Sequence, residues 1–344
     1  MAEHKKHKME IECLVTGGSG LVGRALQRFA TGSTGFVFVS SKDADLEDPI
    51  QTKALFDKYL PKTVVHLAAH VGGLYTNMKN NLRFFRANLL MCDNVLSCAY
   101  SCPSTSKCIS CLSTCVFPDQ IEYPIDETKL HAGPPHESNF GYSYAKRMIQ
   151  VLNACYNQKC KAEGINKLFT SVIPTNIYGP HDNFNIENGH VIPALIHNFY
   201  KSALISLRSG DYHEYSDRIE TEVQLRGSGK AVRQFIHCDD VARLILWVLR
   251  DYDEPDPIIL SVDEEEETSI EKVSVYIACA IQYHLYQVKF YSDFDHFNSD
   301  GQIKKTASNK KLRSYLPDFK FKPLELGITE TVEWFLKNYK EARK

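Results

Sequence analysis

Long apolar runs are missing from this sequence: none reaches the roughly 18 residues that a membrane-crossing helix requires. A surplus of one charge is missing too. With a formal net charge of -2, the chain has no basic excess to draw it to nucleic acid or an anionic membrane. Residues 1–10 are rich in His and Lys and contain no apolar segment, so they read as a frayed, exposed tail rather than a secretory signal. Internal repeats and low-complexity tracts are absent. What remains is an ordinary globular composition, 43% hydrophobic, in 344 residues, enough for about two domains.

Cysteine, in contrast, is plentiful at 11 residues. The spacing of Cys108, Cys111 and Cys115 suggests a metal site, but 107–112 reads as a strand running into a loop. Residues three apart on a strand point to opposite faces, so Cys108 and Cys111 are poorly placed to share a zinc, and no metal is expected. Without a secretory signal, most of the cysteines read as reduced core thiols of a cytosolic protein. Cys115 stands apart.

The most informative segment is Gly17-Gly18-Ser19-Gly20-Leu21-Val22-Gly23, which follows the short apolar run 11–15 and opens onto a helix-like stretch. Glycines at a strand-to-helix turn let the backbone approach a pyrophosphate, and the helix N-terminus then offers N–H donors and partial positive charge. Strand and helix patterns alternate onward: helix 21–30, strand 37–40, helix 50–59, strand 64–68, a loop through Gly72-Gly73, helix 80–100, strand 107–112, helix 142–161 and strand 169–173. This order predicts an α/β protein with a Rossmann-type, doubly wound parallel sheet and ligand at the carboxyl ends of its strands. After Pro174 the pattern changes to loop 183–189, helix 191–201 and a polar insertion at 206–221 with no clear period. Gln234 to Asp240 then leads into a helix ending near Arg250, and strand 258–262 returns to the sheet. Thr268 or Ser269 caps a further helix. The domains read as 8–180 plus 234–265 for the dinucleotide, and 181–233 plus 266–344, a smaller α/β unit, for substrate.

Where an NAD site usually places a carboxylate, at the end of the second strand, this chain has Val39-Ser40-Ser41-Lys42. Hydroxyls and a cation suit a 2′-phosphate, so NADP is favoured; Asp45 and Leu46 would reach the adenine. Tyr142 and Lys146 lie four apart on one helical face, where an ammonium beside a phenol lowers the phenol's pKa and readies it for proton exchange with a carbonyl. Ser113 precedes them.

These elements together resemble the extended short-chain dehydrogenase/reductase superfamily. Three longer stretches narrow the resemblance: Cys111-Leu112-Ser113-Thr114-Cys115-Val116-Phe117-Pro118, Ile173-Pro174-Thr175-Asn176-Ile177-Tyr178-Gly179-Pro180-His181-Asp182-Asn183-Phe184 and Gly189-His190-Val191-Ile192-Pro193. They are similar to the GDP-L-fucose synthases, a family of GDP-4-keto-6-deoxy-D-mannose 3,5-epimerase/4-reductases. The resemblance implies that Leu67, Ala68, Ala69, Pro174, Thr175, Asn176, Ile177 and His190 also line the NADP site. It implies Cys115 as base and His190 as acid for inversion at C3 and C5, then reduction at C4 with hydride from NADPH and a proton from Tyr142. Ser113 would hydrogen-bond the C4 oxygen, and Lys146 the nicotinamide ribose. A thiol and an imidazole both ordinarily titrate near working pH.

Arg233 and Asp300 match substrate-binding positions of the family. Asn198 stands where relatives carry a basic residue, Arg226 where they carry tryptophan, and 205–219 is longer. Arg226 either compensates for Asn198 at the GDP diphosphate or points to solvent. The resemblance also implies a homodimer through 80–100 and 142–161. Nucleotide-sugar 4,6-dehydratases, 4-epimerases and a catalytically silent binding protein of the same fold are the alternatives; dehydratases carry Asp and Glu where this chain has Thr114 and Cys115.

Overall fold

The computed structural model describes residues 11–30, 35–209, 218–295 and 300–344, so the expected tail at 1–10 lies outside the described residues. The first half runs β1 (Cys13–Thr16), α1 (Leu21–Phe29), β2 (Phe36–Val39), α2 (Pro49–Tyr59), β3 (Thr63–His66), α3 (Leu74–Lys79), α4 (Asn81–Ser101), β4 (Lys107–Cys111), α5 (Phe140–Glu163) and β5 (Leu168–Pro174). There follow β6 (Asn176–Tyr178), α6 (Val191–Ser209), β7 (Ile219–Arg226), β8 (Val232–Arg233), β9 (Phe235–His237), α7 (Cys238–Asp251) and β10 (Ile258–Leu260). The last elements are β11 (Thr268–Ser269), α8 (Ile270–His284), β12 (Val288–Asp295), α9 (Lys310–Tyr315) and α10 (Leu324–Lys337).

Six strands form one parallel sheet in the order β10-β5-β4-β3-β1-β2. The chain steps from β1 outward to β2, then crosses back to β3 and continues to β4, β5 and β10. Connections leaving β1 and β3 therefore diverge to opposite faces and open a crevice at the strands' carboxyl ends. The pleat builds a core on each side. Leu14, Val64, Cys108 and Ile173 pack with Leu55 and Phe56 of α2, Met91 and Val95 of α4 and Ile149 of α5. Their chain neighbours Val15, Val65, Ile109 and Val172 face Ala25 and Leu26 of α1 and Val241 and Ile245 of α7. Cys108 and Cys111 accordingly belong to opposite faces, as the strand period predicts.

A third core gathers Ile196 and Phe199 of α6, Val223 of β7, Ile277 of α8 and Phe335 of α10. Here the sequence reading needs correction. The stretch 206–221 is not unpatterned at its ends: α6 continues to Ser209 and β7 begins at Ile219. Ile219, Thr221, Val223 and Leu225 are buried in alternation with exposed Glu220, Glu222, Gln224 and Arg226. That period of two is a half-buried strand, paired in parallel with β12. Its outward residues are polar and Thr221 hides one inward position, which disguises the pattern; 210–217 lie outside the described residues. The loop expected after Gly72-Gly73 also contains α3, whose first turn is held by Asn77 Nδ2 donating to the carbonyls of Gly72 (2.6 Å) and Gly73 (3.2 Å). Ser269 caps α8 by accepting from the N–H of Lys272.

Candidate active site

A cavity of about 1390 Å³ opens at the carboxyl ends of β1 to β5 and extends beneath α6 and β7. One end is the glycine turn. Gly17 takes φ +71°, and a Cβ there would sit 2.7 Å from the backbone N of Ala68. A Cβ on Gly23 would meet the Gly17 carbonyl at 2.5 Å, so glycine is what lets α1 start against the sheet. Gly20 precedes α1 with no side-chain cap, and no acidic residue occupies the first turn. An uncapped helix start facing a cavity fits a diphosphate. Gly17, Ser19, Gly20, Leu21, Val22 and Gly23 line the cavity, with Leu67, Ala68, Ala69, Pro174, Thr175, Asn176 and Ile177. Gly18 does not. Its N–H donates to Val39 O, and a Cβ would strike Phe38, so it seats the turn on β2.

The end beyond β2 also differs from expectation. Ser40, Ser41, Asp45 and Leu46 line the cavity, but the exposed Lys42 is not part of its wall. The Asp43 carboxylate accepts from the Ser40 N–H (2.8 Å) and from Ser40 Oγ (2.9 Å). Those bonds hold the Asp43 carboxyl below the usual range and occupy the Ser40 hydroxyl. A cation that the sequence reading missed lines the cavity here. Arg83 of α4 lines the cavity with Glu47 and His70, donating through both Nη atoms to Glu47 (2.5 and 2.6 Å) while His70 Nε2 lies 3.2 Å from the same carboxylate. Glu47 and Arg83 are 36 positions apart, and no local pattern announces the pair.

At the centre, β4 delivers Ser113 and Cys115. Ser113 Oγ accepts from the Cys115 N–H (3.4 Å), capping a short turn, Thr114–Val116, in which Cys115 is only 8% exposed. Arg147 of α5 fastens that turn: its Nε donates to Val116 O at 3.0 Å, its Nη2 to the same oxygen, and its Nη1 to Gly133 O at 2.8 Å. Tyr142 and Lys146 project from α5 into the same space. Lys146 Nζ donates to Cys111 O at 2.8 Å and lies 5.8 Å from the Tyr142 ring centroid.

The expected lowering of the phenol pKa does not result. Burial, followed by the neighbouring thiols of Cys115 and Cys111, pushes Tyr142 well above the usual phenol range. The ammonium is engaged by a carbonyl and faces the ring, while low polarity acts on the hydroxyl itself. Beneath them, His66 shares a 2.8 Å hydrogen bond with Thr16 Oγ1, and its burial, with help from the Lys146 charge, pulls it down to about 3. It therefore stays neutral.

His190, just before α6, is exposed and lines the same cavity. The loop before it is tied internally: Asn183 Oδ1 accepts from Asn185 N, and Asn185 Oδ1 from the N–H groups of Glu187 and Asn188. Gly73 N anchors the loop through Asn188 O at 2.9 Å. Behind it, burial raises the Asp182 carboxyl, with the His190 charge opposing the rise. His181 packs on Trp334 with ring centroids 4.5 Å apart, a structural contact.

The far end holds Asn198, Arg226, Arg233 and Asp300. Asn198 Nδ2 donates to Gln224 O at 2.9 Å. Arg226 Nη2 bridges both oxygens of Glu187 at 3.0 and 3.2 Å, so it does not simply point to solvent. Asp300 accepts from Ser228 N (2.7 Å) and Ser228 Oγ (2.6 Å), while Arg233 donates to the carbonyls of Val232 and Gln302. Lys305, another residue absent from the sequence reading, completes this wall.

Residues 13–262 match the family described as NAD dependent epimerase/dehydratase. A GDP-L-fucose synthase of Dictyostelium discoideum is 47% identical, with 96% of this chain and 97% of that protein covered. The chain belongs to the NAD dependent epimerase/dehydratase family, among its GDP-L-fucose synthases. A probable GDP-L-fucose synthase of Drosophila melanogaster is 48% identical, with 96% of this chain and 99% of that protein covered. A crystal structure of a GDP-L-fucose synthetase from Naegleria fowleri bound to NADP superposes with TM-score 0.87 at 47% identity, covering 98% and 96% of the two chains. The sequence motifs name Ser113, Cys115, Tyr142, Lys146 and His190, which line one cavity, whereas Arg83 and Lys305 join its lining, and Arg147 braces the Cys115 turn, through tertiary packing.

Proposed function

We propose that this chain converts GDP-4-keto-6-deoxy-D-mannose to GDP-L-fucose, inverting C3 and C5 and then reducing C4 with NADPH. One observation carries the reading. Ser113, Cys115, Tyr142 and Lys146 meet His190 across one cavity whose other end is a glycine cradle with an uncapped helix start. Proteins that match nearly the whole chain at 47–48% identity include GDP-L-fucose synthases, one of them solved bound to NADP.

The chemistry follows from the residues. Protons beside a C4 ketone are acidic, and inversion requires a base on one face and an acid on the other. Cys115 takes the proton and His190, which lines the same cavity, returns one. Charge that develops on the C4 oxygen is met by Ser113 and by the Tyr142 hydroxyl. Because Tyr142 sits above the usual phenol range, it is held as a proton donor until the C4 oxygen gains full negative charge. Lys146, 2% exposed and fixed by Cys111 O, supplies positive charge beneath the same site. When bound, NADPH contributes the hydride. Gly17, Gly20 and Gly23 would cradle its diphosphate, with Asp45 and Leu46 toward the adenine.

No helix among the described residues is long and apolar enough to cross a membrane. Together with its buried thiols this suits a cytosolic enzyme. Leu82, Leu90, Phe140 and Val151 are exposed along α4 and α5, which pack on each other, and a second copy of the chain would cover them to give a homodimer. Incubation of the ketosugar with NADPH tests the activity: one NADPH oxidised per GDP-L-fucose formed is expected, and no NADPH oxidation overturns it. Sedimentation at micromolar concentration tests the dimer.

A further inference from the structure

Lys304 and Lys305 are adjacent but end in different places. Lys304 is exposed, with Nζ 3.8 Å from Glu267 and 5.6 Å from the Tyr123 ring centroid. Lys305 lies in the cavity wall with Cys115. The backbone on both sides of it is nailed down. Tyr123 Oη donates to Lys304 O at 2.6 Å, Ile125 N donates to Thr306 O at 2.8 Å, and Ser308 N to Ile125 O at 2.7 Å. From the other side, Gln234 holds both the N–H and the carbonyl of Ala307, at 2.8 and 3.0 Å. The segment is thus clamped between the loop that follows Cys115 and the strands β8 and β9. Among the described residues, nothing accepts a hydrogen bond from the Lys305 ammonium.

The groups facing this pair can be named. Cys111 and Ser113 come from β4 and its turn, Tyr142 and Arg147 from α5, and Arg233 from β8. Asp300 lines the same cavity, but the charges that act on Lys305 are those of Cys115 and Arg233. Burial pulls Lys305 down to about 8, the Cys115 charge acts against that fall, and Arg233 adds to it. Lys305 therefore exchanges a proton near neutral pH more readily than a solvated lysine does. Arg147 stays charged and is bound to two carbonyls, and Tyr142 is held well above the phenol range.

Resting on the activity proposed above, there is a task for such a group. Each inversion leaves Cys115 protonated, and the thiol must be cleared before it can act on the second carbon. With Cys115 only 8% exposed, and substrate covering it during turnover, water has little direct access. We propose that Lys305 is the proton relay of Cys115, clearing the thiol between the two inversions. The neutral amine accepts the proton from the Cys115 thiol, giving thiolate and ammonium, and the ammonium releases it to water. No other bond is made or broken. Lys305 touches neither reacting carbon in this account; it acts through Cys115, as a positioning and relay residue.

The experiment compares solvent-deuterium uptake at C3 and C5 with NADPH oxidation in wild type, Lys305→Met and Lys305→Arg. NADPH binding, followed by fluorescence, reports that each variant keeps its cavity, and Lys305→Gln replaces the methionine variant should that one not fold. Deuterium uptake by Lys305→Met is expected to fall about 10²-fold, the scale of a general acid–base group, with KM for the sugar within about threefold of wild type. Its pH profile loses the inflection near 8. Added methylamine is expected to restore uptake in proportion to its free-base concentration, which a structural defect would not allow. Lys305→Arg keeps the charge but cannot shed its proton, and stays slow. Uptake unchanged in Lys305→Met overturns the relay, and so does a rise in KM alone, which marks an anchor for the substrate's anionic part. Full activity in Lys305→Arg also overturns it, because charge then suffices. A wild type that turns over no ketosugar overturns the activity itself, a result distinct from all of these.

Discussion

Replacing Arg147 with methionine would test whether the Cys115 turn is held from α5. The guanidinium is 5% exposed and makes three hydrogen bonds to two carbonyls, Val116 O and Gly133 O. Methionine keeps most of the aliphatic stem's packing but leaves both carbonyls without that donor. A buried polar group left unsatisfied costs about 1–3 kcal/mol, so the pair amounts to about 2–6 kcal/mol. Removing a buried charge returns part of this, since burial already disfavours the charged Arg147 and holds it below the usual arginine range. A net loss of about 3 kcal/mol results. With an unfolding entropy of about 2 cal/mol/K per residue over 344 residues, that corresponds to a Tm roughly 4 °C lower. The functional consequence should be selective. Val116 follows Cys115 directly, so release of its carbonyl lets the thiol drift, and a displacement near 1 Å can cost about 10²-fold in rate. Deuterium uptake at C3 and C5 should fall by that order, while NADPH affinity at the distant glycine turn stays within twofold. Differential scanning calorimetry and mass-resolved uptake measure the two effects. A variant with wild-type Tm and wild-type uptake would refute the claim that Arg147 holds the turn.

Four further outcomes are expected. Cys115→Ala should abolish deuterium uptake at C3 and C5, whereas Tyr142→Phe should slow NADPH oxidation by about 10²–10⁴-fold and leave uptake measurable; normal uptake in the cysteine variant excludes it as the base. NADPH should exceed NADH in kcat/KM, yet Lys42→Ala should change that ratio less than twofold, because Lys42 lies outside the cavity wall; a collapse of the preference would show that the lysine reaches the cofactor. The Arg226–Glu187 pair is exposed (46% and 72%) and worth under about 1 kcal/mol, so a diphosphate can displace it. Glu187→Gln is therefore expected to tighten GDP binding about two- to fivefold, Arg226→Ala to weaken it, and Asn198→Lys to lessen that second effect; identical GDP affinities by calorimetry would dismiss Arg226 as a ligand. Finally, His66 and His237 are buried and held neutral, at about 3 and about 4. The unfolded chain binds protons that the fold refuses, so stability is full above pH 6.5 and declines as pH falls, by up to about 1.4 kcal/mol per unit for each histidine; His66→Gln should flatten that decline in urea titrations between pH 6 and 4.

Much of the fold is legible because its signals are local. Leu14 and Val15 must face opposite ways on a strand, and the glycines that follow have no other economical explanation once the next apolar run reads as a helix. The candidate site residues are legible for a similar reason: Ser113 with Cys115, and Tyr142 with Lys146, lie within a few positions of one another, and His190 sits at a helix start. Strand β7 was harder. Its inward face, Ile219, Thr221, Val223 and Leu225, contains a threonine, and its outward face is strongly charged, so composition hides the alternation until β12 is seen beside it.

Spacing reports which side chains can meet, but not the polarity of the place where they meet. Tyr142 and Lys146 do share a face, yet the ammonium is spent on Cys111 O and the phenol is governed by burial. Ser40 and Lys42 are equally near β2, yet Asp43 captures the hydroxyl and the lysine turns outward. The corrections therefore concern charge more than position. A carboxylate, a carbonyl or a thiol supplied from elsewhere in the chain decides how each ionisable group behaves. Arg147 and Lys305 show the same dependence in opposite forms. The first is saturated by two carbonyls and can only hold the Cys115 turn in place. The second has no acceptor among the described residues, and in the proposed relay it is free to move a proton.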